Sequence, residues 1–123
     1  MAIRTKFVIH DHTAKKAGHH FDFRIEYQGK LKSWAIPKAR LPEKGQYLLA
    51  IQTPDHPLSY YNFEGEIKDG YGQGNVTIFD KGVCDILRWK KDQIGFILKG
   101  KKVQGKFWLI RTNKKSWLLL RGK

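Results

Sequence analysis

This sequence is short of acid, of thiol and of long apolar runs, and each shortage narrows what the chain does. It has 11 Asp and Glu against 24 Lys and Arg, for a formal net charge of +13 and a pI near 10.0. So positive a surface favours polyanions, nucleic acid first and acidic membrane surfaces second. A Lys-rich solvated surface of thermophile type is the plainer account of the same charge. Cys84 is the only cysteine, which rules out an intrachain disulfide and fits a reducing cytoplasm. The first residues, Ala2-Ile3-Arg4-Thr5-Lys6, contain no apolar core of a signal peptide. No uninterrupted apolar stretch is long enough to span a bilayer, so no membrane partner is expected. Internal repeats, low-complexity segments and linkers are also missing.

What is present reads as one β-rich domain over residues 1–123, with enough apolar content (41%) for a single core. Phe7 to Ile9 is a short apolar run. Strand patterns cover His20–Tyr27, Leu31–Ile36 and Tyr47–Thr53, the last two closed by Pro37 and Pro54. Further strands are expected at Asn75–Asp80, Val83–Trp89, Gln93–Leu98, Lys106–Thr112 and Ser116–Arg121, between Gly, Asn, Asp or Lys turns. Gln28-Gly29-Lys30 is a candidate hairpin turn. Thr13–Ala17 reads as a helical turn, capped by Thr13 and ended by Gly18. Many short strands at this spacing suggest a barrel or a sandwich.

His20, Asp22 and Arg24 are the most informative residues. A strand turns alternate side chains to opposite faces, so these three share one face while Phe21, Phe23 and Ile25 take the core side. His19 has the other parity and should point away. His and Asp can hold a divalent cation, and Arg can grip a phosphate. Four of the five histidines, His10, His12, His19 and His20, lie in the first twenty residues. A loop separates His12 from His20 and Asp22 and can fold one toward the other. Two imidazoles and a carboxylate make an open site, suited to manganese or another divalent first-row ion such as zinc or cobalt. Parity does not separate His10 from His12. The plainer alternative is a set of exposed polar side chains on an N-terminal hairpin.

His56 lies between Pro54 and Pro57, which stiffen its segment. A His held outside a strand can protonate a leaving oxygen or bond a phosphate oxygen. Tyr60 offers a hydroxyl, and Lys38, just past a strand end, offers a flexible ammonium. Glu64 and Glu66 are candidates to orient a ligand imidazole, or are surface charges. Gly70-Tyr71-Gly72-Gln73-Gly74 lacks the Gly-Lys-Ser/Thr of a phosphate loop and reads as a tight hairpin. Lysines crowd the C-terminal half around Trp89, Trp108 and Trp117, as in single-strand-binding grooves, although at least one of the last two should be core.

Taken together, these residues resemble the 3′-phosphoesterase domain of the bacterial end-joining ligase D family and its free-standing relatives. The resemblance runs from Phe7 to Arg121 and is carried by His12, His20-Phe21-Asp22-Phe23-Arg24-Ile25-Glu26, Leu31-Lys32-Ser33-Trp34-Ala35-Ile36-Pro37-Lys38, Asp55-His56-Pro57-Leu58, Tyr60 and Tyr71-Gly72-Gln73-Gly74. It implies a mainly β fold: a compact, closed or nearly closed β-barrel with one or two short helical turns. It implies a metal-dependent enzyme that turns 3′-phosphate ends of DNA or RNA into 3′-hydroxyls. Its metal ligands fall on His12, His20 and Asp22, and its phosphate-contacting and catalytic positions on Arg24, Lys38, His56 and Tyr60. Some members also trim a terminal ribonucleotide; the arm that supports this activity is very short here. A basic residue that the family often carries eight positions before His56 appears as Leu48, with Arg40 or Lys44 as substitutes. A partner ligase or polymerase would act in trans. The rival expectation is a non-catalytic, OB-like barrel that binds single-stranded nucleic acid.

Overall fold

The computed structural model describes residues 2–70 and 72–123. Among these, the strands run β1 (Ile3–Ala14), β2 (Gly18–Tyr27), β3 (Lys30–Ile36), β4 (Tyr47–His56), β5 (Gly65–Ile67), β6 (Gly74–Lys90), β7 (Gln93–Gly100), β8 (Gln104–Asn113) and β9 (Ser116–Arg121). One 3-10 turn, Leu58–Asn62, lies between β4 and β5. Neighbours pair antiparallel in the order β1-β2-β3-β4-β9-β8-β7-β6, and β6 returns to β1. Eight strands thereby close into a barrel, which removes the free edges of an open sheet. β5 pairs with the start of β6, outside the ring.

Alternation decides what enters the barrel. Phe21, Phe23 and Ile25 of β2 point inward with Trp34 and Ile36 of β3, and all are 4% exposed or less. Phe23 stacks on Phe96 with centroids 5.5 Å apart and lies 6.4 Å from Trp34. Burial of a side chain of this size stabilises by about 1.5–3 kcal/mol. Trp117 is core, as expected of at least one late tryptophan. The β2–β3 connection is the two-residue Gln28-Gly29, both at positive φ (53° and 82°), the turn whose twist suits a tight hairpin.

The structure corrects three local expectations. Thr13–Ala17 is not helical: Thr13 and Ala14 end β1 opposite His19 and Gly18, leaving three residues to turn the hairpin. Pairing along the whole of β1 and β2 outweighs a local capping signal. The expected strands at Asn75–Asp80 and Val83–Trp89 are one 17-residue β6. Asp80-Lys81-Gly82 pairs regularly with Ile9, Val8 and Phe7, and the shift in the ladder falls beside it, where Phe79 is left opposite the Ile9/His10 step. Pro54 does not end β4, which continues to His56 through a register shift against β3, where a missing N–H costs no ladder bond. His56 therefore sits on a strand end, not on a free loop. Among the described residues, no helix is long and apolar enough to cross a membrane.

Asp80 closes one end of the barrel. Its carboxylate accepts backbone N–H bonds from Lys81, Lys101, Lys102 and Val103 at 2.8–3.1 Å. Gly100 packs so closely on Asp80 that a Cβ there has no room.

Candidate functional site

The site lies on the outer face of β1 to β4, on the opposite side of the sheet from the core. A cavity of about 550 Å³ opens there, and His12, His20, Asp22, Arg24, His56 and Tyr60 all line it. The register of β1 against β2 sets His12 opposite His20 and His10 opposite Asp22. His19 points away and bonds Asp11 at the surface, as its parity required.

His12, His20 and Asp22 each offer one ligand atom, and these atoms lie within 4.8 Å of one another. His12 Nε2 is 2.7 Å from the Gly72 carbonyl, and His20 Nδ1 is 3.2 Å from the Gly18 carbonyl. A carbonyl only accepts, so those two nitrogens carry the protons. In the neutral rings the other nitrogens are bare, yet both face the same carboxylate. His12 Nδ1 is 3.0 Å from Asp22 Oδ2, and His20 Nε2 is 3.3 Å from Asp22 Oδ1. Lone pairs at such distances need a cation between them, a proton or a metal ion. The donor set fits a divalent ion with ligand bonds of about 2.0–2.2 Å, and the carbonyls hold each ring in its ligating tautomer. With protons in that place, hydrogen bonding to Asp22 outweighs burial and raises the His20 pKa. Burial opposes charge on Asp22, but bonds from His12 and His20 and the charge of Arg24 together hold its carboxyl well below the usual range.

Arg24 is 3% exposed and holds the rest of the site together. Its Nε donates to His10 Nδ1 at 3.1 Å and its Nη1 to Ser33 Oγ at 2.9 Å. Nη1 also lies 3.1 Å from His56 Nδ1, and Nη2 lies 3.6 Å from Asp22 Oδ2. Removing a guanidinium from water costs several kcal/mol unless it is paired and bonded, and these contacts offset that cost. Burial lowers the Arg24 pKa against the opposing effect of Asp22, but from so high a value that the charge remains. The Tyr60 ring covers the guanidinium at 4.9 Å and stacks on Phe63, with centroids 4.8 Å apart. Burial, then the Arg24 charge, lowers the His56 pKa, so that ring is neutral near pH 7. Burial and the same charge push His10 down to about 4. His10 Nε2 donates to the Phe63 carbonyl at 3.1 Å. With both nitrogens committed, His10 is a brace and not a ligand.

The family model for the DNA ligase D 3′-phosphoesterase domain matches residues 10–111. The chain belongs to that family. It is 43% identical over 122 residues to the multifunctional non-homologous end joining DNA repair protein LigD of Mycobacterium tuberculosis, covering 95% of this chain and 16% of that protein. It is 38% identical over 128 residues to the LigD of Pseudomonas aeruginosa, covering 96% of this chain and 15% of that protein. For the LigD of Mycolicibacterium smegmatis the identity is 40% over 131 residues, covering 96% and 17%. The chain thus spans about one sixth of the length of these relatives.

Not every residue expected in this phosphoesterase domain reaches the cavity. Lys38 is exposed in the turn after β3; its neighbour Pro37 lines the cavity and Lys38 does not. Leu48 faces the core at 9% exposure, so a basic side chain in that register would point inward. The outward positions of β4 are Leu49, Ile51 and Thr53. Arg40 and Lys44 are exposed and do not line the cavity. Glu64 accepts the Ile78 backbone N–H at 2.7 Å and Glu66 is exposed, so backbone carbonyls, not these acids, orient the imidazoles. Gly70 to Gly74 joins β5 to β6 as a hairpin, with Tyr71 outside the described residues. Two residues given no separate role in sequence, His10 and Ser33, turn out to fix Arg24. Ser33 has a readable signal only once its register opposite Arg24 is known.

Proposed function

We propose that this chain is a metal-dependent 3′-phosphoesterase that converts 3′-phosphate ends of DNA or RNA into 3′-hydroxyls, the form that a polymerase or ligase extends or joins. The observation that carries this reading is the convergence of His12, His20 and Asp22 on one point beside a buried Arg24 in an open cavity. A divalent ion of the manganese, zinc or cobalt type, held by His12, His20 and Asp22, would supply Lewis acidity to a phosphate oxygen and its attacking water.

The chain's own groups do the rest. Arg24 keeps Nη2 as its least committed corner, available to a second phosphate oxygen and rigid because its other nitrogens are anchored. In the hydrolysis a water oxygen bonds phosphorus and gives up a proton, the P–O3′ bond breaks, and the 3′ oxygen gains a proton, so that water supplies both the new P–O bond and the hydrogen of the 3′-hydroxyl. His56 is the group placed to meet that oxygen. His56 Nδ1 lies 3.1 Å from Arg24 Nη1, which only donates, and 3.2 Å from the Pro54 carbonyl, which only accepts; in the tautomer that accepts from Arg24, Nε2 carries the hydrogen, and a neutral ring donates this as a hydrogen bond to the leaving oxygen. Tyr60 covers Arg24 and holds water off it. Lys38, exposed in the turn after β3 and outside the cavity lining, adds positive charge to the surface that an incoming strand crosses. The positive surface gives the complex salt-sensitive affinity. A non-catalytic OB-like barrel leaves the two bare imidazole nitrogens without a cause.

The test uses a labelled oligonucleotide ending in 3′-phosphate, incubated with manganese and then with chelator. Release of phosphate with manganese, and its loss with chelator, is expected. Turnover that persists unchanged in His20→Ala and Asp22→Ala sinks the proposed site.

A further inference from the structure

The barrel end opposite Asp80 is an open mouth, and its chemistry is one-sided. A pocket of about 210 Å³ there is floored by Trp34, Trp117 and Ile94 and reached past Trp89, Gln52 and a rim of Lys32, Lys90, Lys91 and Arg111. Trp34 is 1% exposed, and its Nε1–H has no partner among the described residues. That N–H has no accessible surface of its own, so it is a buried donor just under the pocket floor, unpaired at a cost of about 1–3 kcal/mol. Trp117 Nε1 donates to Gln52 Oε1 at 3.1 Å. An indole N–H only donates, so the Gln52 oxygen faces it and the Gln52 amide hydrogens are left over. Two of the rim cations are neutralised, Lys32 by Asp55 at 2.9 Å and Arg111 by Asp92 at 3.5 Å. Lys90 and Lys91 have no acidic partner among the described residues. The uncommitted side-chain groups of the mouth, Lys90, Lys91 and the Gln52 amide, are thus cations or donors, which suits an acceptor with negative charge.

Two further features narrow that anion. Trp89 stands at the mouth with one face on Tyr27, centroids 3.8 Å apart and planes 7° from parallel, which fixes the ring as a platform. The Lys32–Asp55 pair joins the rim to the residue before His56, so mouth and catalytic cavity flank the same β3–β4 pair.

We propose that the mouth binds a backbone phosphate of single-stranded nucleic acid, with a neighbouring base against Trp89, as a second anchor for the strand whose 3′ end enters the catalytic cavity. The choice of nucleic acid rests on the function proposed above; the anion site rests on the donors. Lys90 and Lys91 supply the charge and the Gln52 amide a hydrogen bond to the phosphate, while the Trp34 indole lies sealed beneath the lining, where its N–H senses the occupant.

The test is a titration with a single-stranded oligonucleotide ending in 3′-hydroxyl, so that it does not depend on turnover. Affinity is compared between the intact protein, Lys90→Glu/Lys91→Glu, and Lys101→Glu/Lys102→Glu at the far end of β7, which changes net charge equally. The mouth variant should lose affinity by about tenfold and the control by no more than about threefold at one salt concentration. In parallel, the Trp34 indole N–H resonance, assigned by its disappearance in Trp34→Phe, should shift on titration of the intact protein and not of the mouth variant. A free-phosphate arm separates sources: inorganic phosphate that moves the resonance as far as the oligonucleotide, at similar concentration, marks an anion pocket and overturns the strand anchor. Equal losses in the two double variants, or an unmoved Trp34 resonance, also overturn it. If phosphate release fails while this titration succeeds, the catalytic reading falls and the anchor stands.

Discussion

Asp22 and Asp80 are both buried carboxylates, 6% and 5% exposed, and they are satisfied in opposite ways. Asp80 sits at the β7–β8 end of the barrel, where four backbone N–H groups fill its lone pairs. Three of those donors, Lys101, Lys102 and Val103, belong to one turn and the fourth, Lys81, to β6 itself, so the carboxylate ties β6 to the place where β7 becomes β8. Asp22 lies on the outer face among two imidazoles and a guanidinium. Two of its neighbours present nitrogens that are bare in the neutral state. Backbone donors make a closed arrangement that needs nothing more. Bare nitrogens around a carboxylate make an open one that a cation completes. Burial of a charge is therefore not by itself a sign of function; the kind of partner is.

Asparagine at each position turns that contrast into measurements. Asp22→Asn should lower phosphate release by about 10³-fold, about 4 kcal/mol of activation free energy, while the protein stays folded. Asp80→Asn should do the reverse. An amide keeps one oxygen and turns an NH2 toward backbone donors, so urea unfolding should show about 3 kcal/mol less stability with an unchanged slope. Per folded molecule at low temperature, its phosphate release should match that of the unaltered chain. Should Asp80→Asn lose activity without losing stability, the distinction between the two carboxylates fails.

Metal linkage gives the next largest effect. A cation that binds only the folded state stabilises it by about 2.7 kcal/mol at a hundred times its dissociation constant. Manganese at that excess should raise the thermal midpoint of the unaltered chain and of Asp80→Asn by equal amounts, and chelator should reverse both. Asp22→Asn should show no rise. A rise of similar size in Asp22→Asn would put the ion somewhere other than His12, His20 and Asp22.

The outer face was legible in sequence because a strand has a fixed period of two. That rule separated His20 from His19 and put Phe21, Phe23 and Ile25 in the core, before any partner strand was known. It could not separate His10 from His12, which share a face. What separates them is tertiary: the Phe63 carbonyl and the Arg24 guanidinium take both nitrogens of His10. Strand spacing alone left barrel and sandwich open; the family resemblance implied a closed or nearly closed barrel, and the pairing of β1 with β6, distant in sequence, bears that out. The run Asp80-Lys81-Gly82 has turn composition, yet it stays in a strand because it pairs with Ile9, Val8 and Phe7 of β1, while the Asp80 side chain accepts from a turn elsewhere. Likewise Pro54 reads as a strand end but falls in a bulge. Cys84 was read as the only thiol, and the fold adds that it is fully buried, with burial pushing its pKa up to about 12. It should stay unmodified by alkylating reagent at pH 8 until the barrel unfolds, as mass measurement of native and denatured protein would detect.

The smallest effect concerns how firmly the open site is held. Ser33 is fully buried, donates from Oγ to the Leu31 carbonyl at 3.0 Å and accepts from Arg24 Nη1 at 2.9 Å. Its one proton is used on Leu31, so its lone pair is fixed toward the guanidinium. Ser33→Ala removes that anchor and leaves Arg24 with His10, His56 and Asp22. Since a hydrogen bond to a charged group contributes about 1.5–3 kcal/mol, a part of which the remaining anchors retain, kcat should fall about tenfold with KM nearly unchanged. Ser33→Thr keeps the hydroxyl on a strand that suits β-branched residues and should restore most of the rate. A loss of folding alone would lower activity in proportion to the unfolded fraction and would be rescued at low temperature, whereas the loss of an anchor on Arg24 would not. Full activity in Ser33→Ala would mean that the His10 and Asp22 contacts suffice, and that the guanidinium is held from the metal side of the cavity and not from β3.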